Sequence, residues 1–169
     1  EDLAIRGVAV NAEVAFNYGK TLGDVISLEG IFTSGDDDVK DAEYDGVITL
    51  NHYGLPGAVW FNHKTLLLFP FTSTVSNYTG AVTDISNQGY GLMAGILAAK
   101  TDVVPDVLNL KIGAAVARSV AQPKAGAFGL ERGQTLGAEV NLEVNWQIRY
   151  LMNIGVHTGY LALGDFFDA

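Results

Sequence analysis

Residues 136–145 read Leu-Gly-Ala-Glu-Val-Asn-Leu-Glu-Val-Asn. Leu136, Ala138, Val140, Leu142 and Val144 alternate with Glu139, Asn141, Glu143 and Asn145. A repeat of two sends successive side chains to opposite faces, the mark of a β-strand. One face is wholly apolar; the other carries carboxylates and carboxamides. Downstream, Ile148, Tyr150, Met152, Ile154 and Val156 alternate with Arg149, Asn153 and His157, which predicts a strand over 148–163. Upstream, Leu108, Leu110, Ile112, Ala114 and Val116 alternate with Asn109, Lys111, Gly113 and Ala115 over 107–119. Before them, Tyr90, Leu92, Ala94, Ile96 and Ala98 form the apolar face of a strand over 90–100, with Pro105 in the connecting turn. Val8 to Tyr18 at even positions against Asn11, Glu13 and Asn17 give a strand over 3–18. Ile26, Leu28, Gly30 and Phe32 against Ser27, Glu29 and Thr33 give another over 24–33. A long loop, 34–88, separates that strand from the rest, and 122–133 form a second loop.

Six strands of about 9–16 residues exceed the ~5–6 usual in soluble sheets and match a membrane barrel wall. The expected fold is all-β, an antiparallel transmembrane β-barrel in one domain over 1–169. Composition agrees. The chain has 169 residues, 49% hydrophobic and only 17% charged, with mean hydropathy +0.22. Yet its longest nearly apolar run, 90–99, is far short of the ~18 residues a spanning helix needs. The net charge of −9 argues against nucleic acid. The absence of cysteine excludes disulfides, thiolate metal sites and cysteine nucleophiles. The chain opens on Glu1 rather than Met, and six strands are fewer than the eight of the smallest bacterial barrels, so further strands are expected on both sides.

With short turns on one side and long loops on the other, aromatics fall at two heights. Phe16, Tyr18, Trp146 and Tyr150 lie near the turns; Phe32, Tyr90 and Tyr160 lie near the loops. Tyr150 and Tyr160 are ten residues apart. At about 3.3 Å per residue and about 40° of tilt this spans roughly 25 Å, the height of an outer-membrane apolar band. Arg6 and Arg118 point to the lipid side at the loop ends, where a guanidinium meets lipopolysaccharide phosphate or snorkels to water. Lys100, at the turn end, reads as snorkelling.

Two stretches are more specific: Thr33-Ser34-Gly35-Asp36-Asp37-Asp38, and Asn51-His52-Tyr53-Gly54 within the loop. Together with Gly137-Ala138-Glu139-Val140-Asn141 and Gly164-Asp165-Phe166 near the end, they resemble the alginate-export family of outer-membrane barrels. The resemblance implies a Gram-negative outer-membrane barrel of about eighteen strands that passes polysaccharide or small solutes without chemistry. A polyanion channel should be lined by Arg and Lys. Here the polar face offers Lys111 and Arg149 against Glu13, Glu29, Glu139 and Glu143, so the substrate name is not carried over.

The lumen-lining set is therefore Asn11, Glu13, Asn17, Ser27, Glu29, Asn109, Lys111, Glu139, Asn141, Glu143, Arg149, Asn153 and His157. Small residues there, Gly91, Gly95, Gly113, Ala115 and Ala117, would let a partner approach closely. Asp36, Asp37, Asp38 and Asp41 are a candidate Ca²⁺ cluster without EF-hand spacing; the alternative is a solvated acidic loop. His52 and His63 lack a third ligand, and His157, the one histidine on the polar face, reads as a hydrogen-bonded wall residue. Glu139 and Glu143 are about 13 Å apart along a strand, too far for a glycosidase pair. No nucleophile elbow or phosphate loop is present, so no enzyme is expected. The apolar stretch Val59-Trp60-Phe61 and Leu66-Leu67-Leu68-Phe69-Pro70-Phe71 is expected to fold into the lumen as a constriction, or to extend the wall. The expected function is a passive outer-membrane porin whose partners are lipid, lipopolysaccharide, solute and the other strands of the barrel. A scaffold barrel enclosing a plug or partner protein, and a soluble barrel binding an apolar ligand, are the alternatives.

Overall fold

The computed structural model describes residues 4–37, 43–47, 65, 67–68, 86–122 and 133–168. Among them the strands are β1 (Ala4–Ile5), β2 (Ala9–Asn17), β3 (Val25–Thr33), β4 (Glu43–Tyr44), β5 (Leu92–Val104), β6 (Leu108–Ser119), β7 (Thr135–Arg149) and β8 (Met152–Leu163). Six of them form one sheet in the order β2-β3-β5-β6-β7-β8, and every neighbouring pair is antiparallel. β1 and β4 form a separate parallel pair at the loop end. The sheet is not closed; among the described residues β2 and β8 are its edges. No α-helix occurs among the described residues.

The sheet is a plain meander, and local chemistry sets its turns. Between β2 and β3, Tyr18 donates its N–H to the Asp24 carbonyl, and the Asp24 N–H returns to the Thr21 carbonyl. Between β5 and β6 the turn is tight: Val107 donates to the Val104 carbonyl at 3.0 Å, with Asp106 at φ 59°. Asp is among the few residues that tolerate this left-handed conformation. β5 and β7 run to 13 and 15 residues, well beyond ordinary soluble strands.

Several boundaries differ from the sequence reading. The strand expected over 3–18 is broken at 6–8. Arg6 donates its N–H to the Tyr44 carbonyl, and Val8 donates to Ser34 Oγ, so this segment serves the loop rather than the sheet. The connection expected over 101–106 shrinks, because the β5–β6 ladder continues through Asp102–Asn109 to Val104–Leu108. β7 runs past the expected turn at 146–147 and ends at Arg149, leaving Tyr150 and Leu151 as the turn. No glycine or proline marks that turn in the sequence, so alternation alone could not place it.

The larger correction is the face of β5. Its register sets Leu28 opposite Leu97, Phe32 opposite Met93 and Ile26 opposite Ala99. Residues directly opposite share a face. Met93, Gly95, Leu97 and Ala99 therefore join the apolar face. Leu92, Ala94, Ile96 and Ala98 lie with Thr33, Ile31, Glu29 and Ser27 on the other. β5 is apolar at both parities, and period two names no face in such a strand. Gly95 thus leaves the polar face. Tyr90 leaves the aromatic girdle and packs inward, edge-on to Phe166 with ring centroids 6.2 Å apart. Lys100 lies opposite Lys111 on the polar face.

Leu136 is likewise turned inward. The register shifts between Ala117–Gly137 and Arg118–Thr135, so Leu136 is an extra residue in β7 and is fully buried in the apolar cluster. Gly137 makes this possible. Its φ is +150°, and a Cβ there would stand 2.4 Å from the Ala162 carbonyl oxygen.

Candidate functional site: the two faces of the sheet

One face is apolar from edge to edge. Val14, Leu28, Leu97, Ala114, Val140 and Tyr160 make a single row across all six strands. A second row holds Phe16, Ile26, Ala99, Ile112, Leu142 and Thr158. Val14 is 73% exposed and Tyr160 70%. Along its middle this face bears no charged side chain among the described residues. Burying one Leu, Val or Phe contributes about 1.5–3 kcal/mol. Leaving so many in water would forfeit a sum comparable with the whole stability of a domain.

Phe16, Phe32, Trp146 and Tyr160 stand on this face by register. Tyr18 follows β2 and donates its hydroxyl to the Lys100 carbonyl, while Tyr150 sits exposed in the β7–β8 turn. Arg118 is at the loop end, held by Gln134 Oε1 at 2.6 Å. Arg6 lies outside the sheet and pairs with Glu43 at 3.4 Å, both exposed.

The other face is where the polar residues gather. Asn11, Glu13, Asn17, Ser27, Glu29, Asn109, Lys111, Glu139, Asn141, Glu143, Asn153 and His157 all lie on it by register. Arg149 stands apart at the end of β7, beyond a register shift. The polar residues crowd the flanking strands. Down the middle, on β5 and β6, this face is instead small and apolar: Ala94, Ile96, Ala98, Gly113, Ala115 and Ala117. Glu29, Ile96, Ala115 and Glu139 form one row, an apolar floor between two carboxylates. Three strand spacings separate the two, about 14 Å.

Both glutamates are 1% exposed. Asn11 Nδ2 donates to Glu29 Oε1 at 2.8 Å. Asn141 Nδ2 donates to Glu139 Oε1 at 2.8 Å, and Glu139 Oε2 accepts the N–H groups of Leu67 and Leu68. The described part of the long loop is thus laid on this face, with Thr65 and Leu68 buried. Leu68 joins an apolar cluster with Ile31, Leu92, Ile96, Leu136 and Phe166. Phe166 reaches it from a short 3-10 turn (Asp165–Phe167), anchored where Asp165 Oδ1 accepts the Thr135 N–H at 2.7 Å. The rest of the apolar stretch quoted above, including 59–61, lies outside the described residues.

The turn-end half of the same face is wetter. Lys111 Nζ contacts Glu143 Oε1, and His157 Nδ1 is 3.4 Å from Glu143 Oε2. His157 thus has Glu143 as a partner. At the rim, Asp24 Oδ1 accepts from the Thr101 hydroxyl at 2.8 Å and from the Asp102 N–H, and Asp24 Oδ2 accepts from the Thr21 N–H. These bonds, the Thr101 hydroxyl first, hold the Asp24 carboxyl down from 3.8 to about 2. Asn109 Nδ2 closes the group on Asp102 Oδ1 at 2.7 Å.

Asp38, Asp41, His52 and His63 lie outside the described residues. Asp36 is buried with its N–H on the Gly89 carbonyl, and no group of three or more His, Asp or Glu with metal-binding geometry is found among the described residues. The loop-end network was not legible as a site. Thr33 Oγ1 accepts the Leu92 N–H at 2.8 Å, and Asn87 Nδ2 reaches the Gly91 carbonyl and Ser119 Oγ. The sequence marks Thr33 in the Thr33-Ser34 element, Gly91 as a small residue and Leu92 as a strand residue, and gives Asn87 no role. No protein family, curated protein or solved structure matches the chain.

Proposed function

We propose that the chain is an arc of a transmembrane β-barrel in a Gram-negative outer membrane, and that its polar face lines a passive channel for small solutes. One observation carries this reading: the sheet is inside out relative to a soluble protein. Its charged face is the covered one, with Glu29 and Glu139 buried, while its apolar face is bare from β2 to β8. Lipid satisfies such a face without cost, and water does not. The strand lengths and the aromatics at both ends of the apolar face support the same reading. The edges of β2 and β8 then pair with further wall strands, since an unpaired edge in lipid costs several kcal/mol per group. The resemblance to the alginate-export family fits this picture through Gly137, Glu139, Asn141 and Asp165-Phe166, residues with structural work at the loop end.

The complete barrel in planar lipid bilayers should give discrete conductance steps. A protein that is monodisperse without detergent and never inserts would overturn the membrane reading. Insertion without conductance would favour a second reading, a barrel that encloses a plug. The apolar cluster of Leu68, Leu136 and Phe166 on the covered face favours that alternative.

A further inference from the structure

The polar face has an apolar middle, and beside it Leu67 and Leu68 of the long loop are held by Glu139. Ile96 and Ala115 form a floor low enough for backbone to approach, and Glu139 stands at one side of it. The Glu139 carboxylate takes the N–H groups of Leu67 and Leu68 on one oxygen and Asn141 on the other. Every one of these partners is a donor, which suits an ionised acid and no apolar residue. A buried carboxylate so far from solvent is tolerated only where such donors meet it. Leu68 is 3% exposed and Leu67 46%, so one side chain is pressed to the wall and the other faces the open side.

We infer that Glu139 is a positioning residue that pins Leu67 and Leu68 onto the β5–β6 floor and so fixes the narrowest point of the passage. The inference rests on the channel reading for the word passage, and on geometry alone for the pin. Its consequence is a filter of size. The pinned backbone spends the Glu139 charge on its own amides, and the surface presented to a solute is the apolar Leu67 side chain. Small solutes pass whatever their charge, and larger ones are stopped by the seated loop.

These 169 residues hold no cysteine, and with any cysteine elsewhere in the protein replaced by Ser, single thiols report cleanly. In the reconstituted full-length protein, Leu67→Cys should react promptly with a water-soluble maleimide. Leu68→Cys should react about tenfold more slowly, as a locally closed position does. Adding Glu139→Ala should abolish that difference, raise single-channel conductance and admit larger neutral sugars. Glu139→Gln keeps one acceptor oxygen, and Asn141 can turn its own oxygen to the new amide, so this variant should fall between. Val140→Ala, on the opposite face, should match the parent.

Leu68→Cys reacting as fast as Leu67→Cys with Glu139 intact would overturn the pin. So would protection that survives Glu139→Ala, or a conductance that Glu139→Ala leaves unchanged while that variant is folded. Labelling needs no current: if no variant conducts but the labelling pattern holds, the channel reading falls and the pin stands. Should Glu139→Ala fail to fold, the Leu67→Cys and Leu68→Cys comparison and the Glu139→Gln variant still decide.

Discussion

The two halves of the covered face are built on different principles. At the loop end, Leu92, Leu136 and Phe166 are sealed from water, and the charges among them are paid off by fixed donors. At the turn end, Lys111, Glu143 and His157 meet one another with water nearby, and the Asp24 network sits on the rim. The first half resembles the core of a globular domain, and the second a solvated wall. Sequence period treats both halves alike, because it sees which face a residue is on and not what lies over it.

The contrast breaks most visibly at Leu136. Leu136→Ala should cost about 2–5 kcal/mol, because it opens a cavity in a fully buried cluster, and thermal unfolding followed by circular dichroism would read it. A cost below that of an exposed-face change such as Val140→Ala would show that the loop end is not a packed core. Lys111→Met tests the wet half. It leaves Glu143 with the His157 contact alone, and should destabilise by only about 1 kcal/mol because water reaches the site. A loss as large as at Leu136 would mean that the two halves are equally dry.

The smallest effect is at Asp24. Its folded carboxyl is lowered to about 2, below its unfolded value, so the stability it adds is present above pH ~4 and is lost as pH falls towards 2. Asp24→Asn should flatten the melting temperature over that window, lowering it modestly at pH 7 and leaving it little changed near pH 2. An unaltered acid limb in the variant would assign the dependence to other carboxylates.

What was legible follows from the same physics. β7 and its neighbour β6 were readable because Glu139, Asn141, Glu143 and Lys111 mark one parity as polar. Their two faces then came out as expected, save at Leu136. β5 was not readable. Its two parities are both apolar because one meets the exterior and the other carries the loop, and no single-strand pattern separates those causes. Of the 66–71 stretch only Leu67 and Leu68 are among the described residues, and its apolarity foreshadowed the burial of Leu68. The acceptor that holds it was quoted only as part of a motif, since a hydrogen bond between residues 67 and 139 has no signature in spacing. The Asp24 group was missed altogether, for Asp, Thr and Asn at a turn look like ordinary turn chemistry.

The central position of β5 and β6 also bears on how the sheet holds together over time. Over their loop-end halves these two strands are buried on one face, and the other is covered by whatever receives the apolar face. Their ladder hydrogen bonds can exchange with solvent only when both covers lift at once, whereas β2 and β8, outermost among the described residues, are exposed along almost their whole length. The hairpin at the centre is therefore a keel, the slowest part of the sheet to open, and loss of order should spread inward from its two margins.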